Sequence, residues 1–215
     1  MLRNFKDYVN DPIEAMFVRL AGDQHPNKID LGIGVFRDES GKVPVMEAVR
    51  RAESRLIARG LPKSYLSPLG NHDYCQDIER LVLGRNHSVL QSPRLVSAQT
   101  PGAGSALRLG ANFVHDLSPD SAVWVSDPTW PHQVEFFDSA GLAIRPYRYY
   151  DQSEGILDIE GMLEDLHAMK RNDVLLLHGC CHNPTGQDLD PVQWQQVTEV
   201  VNKTGALPFV DVAYQ

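Results

Sequence analysis

The sequence predicts an α/β protein with a mainly parallel sheet flanked by helices, and three observations carry this. Short runs that are apolar almost throughout, "AVWVSD", "DVLLLH" and "LPFVDVA", have the length and composition of strands buried on both faces. Segments with apolar residues three and four apart fall between them, as helices covering a sheet require. Start and stop signals bracket the helical segments. Strands that alternate with amphipathic helices imply parallel pairing with both faces covered.

Taken in order, "VPVMEAVRRAESRLIARG" places Met46, Val49, Leu56 and Ile57 on one helical face, with Pro44 near its start and Gly60 able to close it in a left-handed turn. Residues 94–100, "RLVSAQT", read as a strand, and "GAGSALRLGANFVHDL" as the helix after it. Strands follow at 122–127 and 142–149. "LDIEGMLEDLHAMK" sets Ile159, Met162, Leu163 and Leu166 on one side of a helix, and residues 173–178 return to strand. "DPVQWQQVTEVVNKTG" opens with Asp190 as cap and Pro191 at the first helical position, closes at Gly205, and leads to a last strand at 207–213. No internal repeat or low-complexity linker interrupts the alternation. Ligands of such sheets bind beyond the carboxyl ends of the strands, so the strand exits are where chemistry is expected.

Composition narrows the partners. With 42% apolar and 22% charged side chains, the chain has the make-up of one or two packed domains. A net charge of −8 argues against nucleic acid and against an anionic membrane surface, both of which need clustered Lys and Arg. A small molecule is the expected partner. The longest purely apolar runs, such as "VLLL" at 174–177, are too short to span a bilayer, so no membrane partner is expected. The opening "MLRNFKDYVNDPIEAMF" lacks the apolar core of a signal peptide and carries acids that transit peptides avoid. Three cysteines, two of them adjacent at Cys180 and Cys181, make a poor disulfide framework and suit a reducing cytoplasm. In that setting the sequons at Asn86 and Asn202 are chance matches.

Four strand exits carry unusual residues. "TPGAGSALR" runs through a glycine-rich turn into a helix, whose free N–H groups and positive dipole end could cradle a phosphate. Its spacing matches neither the dinucleotide fingerprint nor the P-loop, and an ordinary tight turn fits it as well. "SDPTWPHQ" sets Trp130 between two prolines, as a core residue or as a platform for a flat ligand. "LLLHGCCHNPTG" offers His178, Cys180, Cys181 and His182 to a zinc ion, but adjacent ligands lack the paired two-residue spacing of zinc sites, and no metal is expected. In the same segment Asn183 before Pro184 suits a turn, with a trans or a cis bond, that aims an amide at a fixed point. "FVDVAYQ" puts Asp211 in an apolar strand, where a carboxylate needs a cation or a strong donor, in a structural or a functional role.

The segments "KIDLGIGVFRDESGKVPVMEAV", "KSYLSPLG", "AQTPGAGSALRLGA", "DPTWPHQ", "YRYYD", "LLLHGCCHNPTGQDL" and "DVAYQ", in this order and at these spacings, closely resemble the class I aminotransferases of the aspartate and aromatic amino acid type, which are fold type I pyridoxal-phosphate enzymes. The resemblance covers nearly the whole chain. It implies the N-terminal part of a fold type I large domain over residues 44–215, incomplete, preceded by an N-terminal arm and the first part of the small domain over residues 1–43. It further implies transamination between an amino acid, aspartate or aromatic, and a 2-oxo acid, with pyridoxal phosphate as cofactor. By this resemblance Asp211 matches the acid that keeps the cofactor's ring nitrogen protonated. Asn183 and Tyr214 match the groups that hydrogen-bond its phenolic oxygen, and Trp130 the residue that stacks on the ring and helps orient substrate. Gly102, Ala103, Gly104 and Ser105 match the phosphate cup. Tyr65 matches a tyrosine that reaches the phosphate of the neighbouring subunit, so a homodimer is implied. Gly34, with Trp130 and Asn183, matches the substrate-binding positions.

Two positions depart from the family pattern. Gly104 stands where a Thr is frequent, which leaves Ser105 or the backbone to serve the phosphate. Gln133 stands where a His often supports the ring-binding acid, with His132 one place earlier. The family's Schiff-base lysine and its carboxylate-binding arginines lie beyond the "DxAYQ" motif, and neither Lys170 nor Lys203 matches that lysine. The expectation is an N-terminal fragment, inactive alone, in which the strand at 94–100 lacks its natural neighbours. Two alternatives stay open: a non-catalytic fragment that binds pyridoxal phosphate or a partner, and a lyase or decarboxylase using the same cofactor and fold.

Overall fold

The computed structural model describes residues 12–30, 32 and 34–214, and its contacts divide the chain into two compact units, Met1–Ser64 and Tyr65–Gln215. In the first unit, α1 (Pro12–Gly22) is followed by Lys28, whose ammonium donates to the carbonyls of Leu20 and Asp23, both at 2.9 Å. Carbonyls at a helix end have no partner within the helix, and the lysine supplies one. α2 (Glu47–Arg59) stops where Gly60 turns to φ 54°, the left-handed closure its glycine was expected to make. Its apolar face is another matter: Met46, Val49, Leu56 and Ile57 are all exposed among the described residues, Ile57 at 81%.

The second unit holds α3 (His72–Leu83), a 3₁₀ turn (Ser88–Gln91), α4 (Ala103–Leu117), β1 (Ala122–Asp127), α5 (Pro131–Asp138), β2 (Ala143–Arg148), the short hairpin β3 (Tyr150–Asp151) and β4 (Ile156–Leu157), α6 (Ile159–Leu166), β5 (Val174–His178), α7 (Pro191–Thr204) and β6 (Leu207–Asp211). The four expected strands from residue 122 onward are present, as are the three helices expected over the same unit. α3 and α5 are absent from the sequence reading. Their signals are local: the side chain of Asn71 caps α3 by accepting from the N–H of Tyr74, and α5 starts on Pro131. Residues 94–100 are a correction, because they form no strand. The N–H of Gln99 donates to the carbonyl of Leu69 at 2.9 Å, but Val96 is 76% exposed and no neighbouring strand among the described residues offers a ladder.

The sheet runs β2-β1-β5-β6, with every neighbouring pair parallel. Alternate residues feed two cores. Val123, Val125, Val174 and Leu176 pack with Leu107, Ala111 and Val114 of α4 and Phe137 of α5. Trp124, Leu175 and Leu177 pack with Met162 and Leu166 of α6 and Val197 and Val200 of α7. Each such buried side chain contributes roughly 1.5–3 kcal/mol relative to exposure, so the helices are held to the sheet by both faces at once. The buried carboxylate of Asp173 ties the strand starts together, accepting from the N–H of Ala122 at 3.1 Å, the indole of Trp124 at 2.9 Å and the N–H of Lys170 at 2.9 Å. α7 carries a full capping box between Asp190 and Gln193 and closes on Gly205 at φ 72°. No helix among the described residues is long and apolar enough to cross a membrane.

Candidate active site

The exits of β1, β5 and β6 meet at a pocket of about 190 Å³ at the carboxyl edge of the sheet. Asp211, the last residue of β6, lies in register with His178, the last of β5, so parallel pairing alone brings both to one edge. After β1 the chain passes a cis Asp127–Pro128 bond into α5, whose cap is Trp130 and whose first turn carries Gln133. The loop after β5 has a second cis bond, Asn183–Pro184, and brings Asn183 to the pocket wall. Ala103 at the start of α4 and Tyr214 beyond β6 line the same pocket.

One chain of hydrogen bonds organises these groups. The backbone N–H of Asn183 donates to Nδ1 of His178 at 3.0 Å, so the ring proton sits on Nε2. Nε2 donates to Oε1 of Gln133 at 2.8 Å, and that oxygen also accepts from the hydroxyl of Thr129 at 2.8 Å. With its oxygen so engaged, the amide turns its N–H to Oδ2 of Asp211 at 2.8 Å, a carboxylate oxygen that can only accept. The other oxygen, Oδ1, accepts from the N–H of Ala213 at 3.0 Å. Nδ2 of Asn183 donates to the hydroxyl of Tyr214 at 3.2 Å. Gln133 is only 1% exposed, and in such a dry setting an unpaired amide would be costly, so the directions are strongly selected. Burial lowers the His178 pKa below the usual imidazole value against the opposing pull of Asp211 and Asp188, which keeps the ring a neutral donor.

The acid in the apolar strand therefore gets strong neutral donors instead of a cation. His132, one place before Gln133, turns to the surface and meets Glu135 at 2.9 Å, so the link to Asp211 belongs to Gln133.

The first turn of α4 presents donors. Gly102 caps it at φ 88° with no side-chain cap, and the first backbone bond of the helix is made by the N–H of Ala106 to the carbonyl of Gly102. The N–H groups of Ala103, Gly104 and Ser105 are thus the orphan donors of the positive helix end. The Ser105 hydroxyl donates to the carbonyl of Pro101 at 3.3 Å, which leaves the backbone as the donor toward an anion. A Cβ at Gly104 would lie 3.2 Å from Cζ of Phe136, so a side chain there requires that ring to give by a few tenths of an ångström. Of residues 102–105, Ala103 lines the pocket, while Gly104 and Ser105 line an adjoining groove with Arg108. Tyr65 is fully exposed and is not among the pocket residues, and Gly34 is an exposed residue of the first unit.

His182 does not line the pocket. Nε2 pairs with the hydroxyl of Ser126 at 2.9 Å and Nδ1 with that of Thr185 at 2.8 Å, while the ring stacks on Tyr149 at 4.0 Å. Burial, helped by the neighbouring His178, pushes His182 down to about 4. Both nitrogens of His178 and both of His182 are engaged in these bonds, so neither ring has a lone pair left for zinc. Sequence reasoning missed the parts played by Thr129 and His178. The signal for His178 is its place at the end of an apolar strand, the same place that singles out Asp211.

Residues 26–215 match the family model described as aminotransferase class I and II. Over its whole length the chain is 42% identical to the aspartate aminotransferase of Haemophilus influenzae, of which it covers 54%. It is 40% identical, again over its whole length, to the aromatic-amino-acid aminotransferase of Paracoccus denitrificans, with 54% of that protein covered. Among solved structures, the aromatic-amino-acid aminotransferase of Burkholderia pseudomallei covalently bound to pyridoxal phosphate matches 100% of this chain and 54% of its own, with a TM-score of 0.96 at 38% identity. The chain spans about half the length of the curated relatives it matches. On the reach of the family match and on these identities, it belongs to the class I and II aminotransferase family.

Proposed function

We propose that the protein containing these residues transfers an amino group between an amino acid, aspartate or aromatic, and a 2-oxo acid, with pyridoxal phosphate as cofactor. One observation carries the reading: Asp211 ends an apolar strand, is oriented by two neutral N–H donors, and lines a pocket. A carboxylate held that way is suited to a ligand that brings its own N–H⁺. The rest of the donor set fits the same cofactor. The wall offers an indole for a flat ring, an amide and a phenol for an oxygen substituent, and the orphan N–H groups of α4 for a phosphate. The relatives' being aspartate and aromatic-amino-acid aminotransferases supports the substrate classes, and the pyridoxal phosphate of the Burkholderia protein supports the cofactor.

When bound, pyridoxal phosphate supplies an electron-withdrawing ring that stabilises the electron pair left when an amino acid's α-carbon loses its proton. In this reading Asp211 holds the proton at the ring nitrogen through a charge-assisted hydrogen bond. Gln133 keeps Oδ2 aimed and, being a neutral amide, neither gives nor takes that proton. Asn183 and Tyr214 hydrogen-bond the phenolic oxygen, and Trp130 covers the ring against water and orients substrate with Asn183 and Gly34. Gly102, Ala103, Gly104 and Ser105 receive the phosphate, and Tyr65, exposed in a single chain, reaches the site of a second subunit in a homodimer. The division into an arm with the start of a small domain, 1–43, and a cofactor domain, 44–215, belongs to the same proposal. So does a cytoplasmic setting, in which Cys75, Cys180 and Cys181 stay free.

The test is to give the full-length protein an amino acid labelled at its amino nitrogen together with a 2-oxo acid. Label appearing in the new amino acid supports transamination. Label released as ammonia, or loss of carbon dioxide without transfer, marks the lyase or decarboxylase instead.

A further inference from the structure

Cys180 and Cys181 form a motif that neither the fold nor the proposed reaction uses. They follow β5 as neighbours, with α-carbons about 3.8 Å apart across a trans peptide. Cys180 is half-buried and lines the pocket, Cys181 is exposed, and both are free thiols. Adjacent side chains of a strand point to opposite faces. Here the chain bends instead, because Cys181 sits at φ 52°, in the left-handed region that non-glycine residues seldom occupy.

The bend is pinned from both ends. The N–H of Gly179 donates to the carbonyl of Asp211 at 2.7 Å, and the N–H groups of Cys181 and His182 donate to the two carboxylate oxygens of Asp188 at 2.8 Å each. A dithiol on so fixed a backbone loses little freedom when both sulfurs bind one centre. Burial raises the Cys180 pKa, and the nearby Cys181 raises it further, so Cys180 is held as a thiol near neutral pH. A thiol so held is a poor target for peroxides and alkylating agents, which react with thiolate.

Paired thiols suit a different class, a soft centre that binds two sulfurs and asks nothing further of the protein. Zinc is not that centre, since its structural sites take four ligands and the neighbouring imidazoles are fully engaged. We propose that Cys180 and Cys181 form a bidentate site for trivalent arsenicals in the wall of the pocket. The reaction is a condensation with no change of oxidation state. An organoarsenic dihydroxide forms two As–S bonds, its two As–O bonds break, and each hydroxyl leaves as water with one thiol proton. The adduct narrows the pocket from the Cys180 side.

Phenylarsine oxide is the probe, added to the full chain and followed by intact mass and by counting free thiols. Cys75, a lone buried thiol whose Sγ lies 3.6 Å from the carbonyl oxygen of Leu69, is the internal control. One phenylarsenic adduct per chain is expected, with two thiols lost from the count, both restored by ethanedithiol. Cys75→Ser leaves binding unchanged. Cys180→Ser or Cys181→Ser weakens it on the order of 10²-fold or more, because the second As–S bond no longer closes within the chain. In the wild type, peptide mapping places the adduct on the peptide that carries Cys180 and Cys181 without any substitution, which keeps the test decisive if a variant does not fold. No adduct on the wild type, an adduct mapped to another peptide, equal affinity in either single variant, or binding lost in Cys75→Ser overturns the proposal.

Discussion

His178 and His182 belong to one short motif at the end of β5, the first half-buried and the second buried, and their rings lie 4.4 Å apart, yet their surroundings differ. His178 is bonded to Gln133 and through it to Asp211, at the pocket. His182 is bonded to Ser126 and Thr185 and stacked on Tyr149, inside the protein. One ring orients a site and the other holds a loop. Residue type and motif membership do not separate the two roles; the partners of each ring nitrogen do.

The largest expected effect tests the pocket side of this contrast. Asp211→Ala should lower turnover per folded molecule of the full-length protein on the order of 10²–10³-fold, as loss of one preorganised electrostatic contact does, with about 1–3 kcal/mol of stability lost for the buried Gln133 amide it strands. Steady-state kinetics corrected for the folded fraction, beside a thermal melt, checks it, and turnover per folded molecule that is largely kept would break the contrast. His182→Ala should do the reverse. It strands the hydroxyls of Ser126 and Thr185 and empties a buried site, so denaturant unfolding should report a loss of about 2–4 kcal/mol, with activity per folded molecule largely kept.

Gln133→Leu lies between the two. It leaves the Nε2–H of His178 and one oxygen of Asp211 unpaired, costing about 1–3 kcal/mol of stability, and it should weaken cofactor binding measured by equilibrium dialysis about tenfold. If cofactor affinity does not change, the relay is structural only.

A smaller effect concerns pH. His182 is held neutral down to about 4 in the folded chain, against an ordinary value of 6.5. Between those values the unfolded chain binds more protons, so the contribution is fully present above about 6.5, falls as the pH drops, and is gone below about 4. His178 is shifted the same way. Allowing for solvent screening, the His182 contribution amounts to about 1–2 kcal/mol, and chemical denaturation across this range should show an acid slope that flattens in His182→Asn. Least of all, Gly102→Ala forces a side chain onto φ 88° and should cost roughly 1–2 kcal/mol, seen as a small drop in melting temperature with weaker phosphate binding.

Much of the frame was legible in the sequence because periodicity is local. α4, α6 and α7 and the four sheet strands lie where apolar spacing places them, and Gly60, Asp190 and Gly205 end or start helices as their chemistry dictates. The segment at 94–100 was misread because strandhood depends on a neighbour, which one run of residues cannot show. α5 escaped because it is short and weakly patterned, whereas α3, twelve amphipathic residues capped by Asn71, carried a signal that was overlooked. α2 and α7 have similar local signals, yet α7 buries Val197 and Val200 and α2 buries nothing among the described residues. Of the site, Ala103, Trp130, Asn183, Asp211 and Tyr214 line one pocket. The donor to Asp211 could not be read, since the direction of the Gln133 amide follows from the tautomer of His178, which follows in turn from the N–H of Asn183.

The central claim is that Asp211 keeps a proton on the ring nitrogen of bound pyridoxal phosphate. Nitrogen NMR of the full-length protein loaded with cofactor isotope-labelled at that nitrogen tests it most directly. A pyridinium signal is expected in the wild type and in His182→Ala, and an unprotonated pyridine signal in Asp211→Ala at the same pH. An unprotonated ring in the wild type, or a protonated one that survives Asp211→Ala, would contradict it.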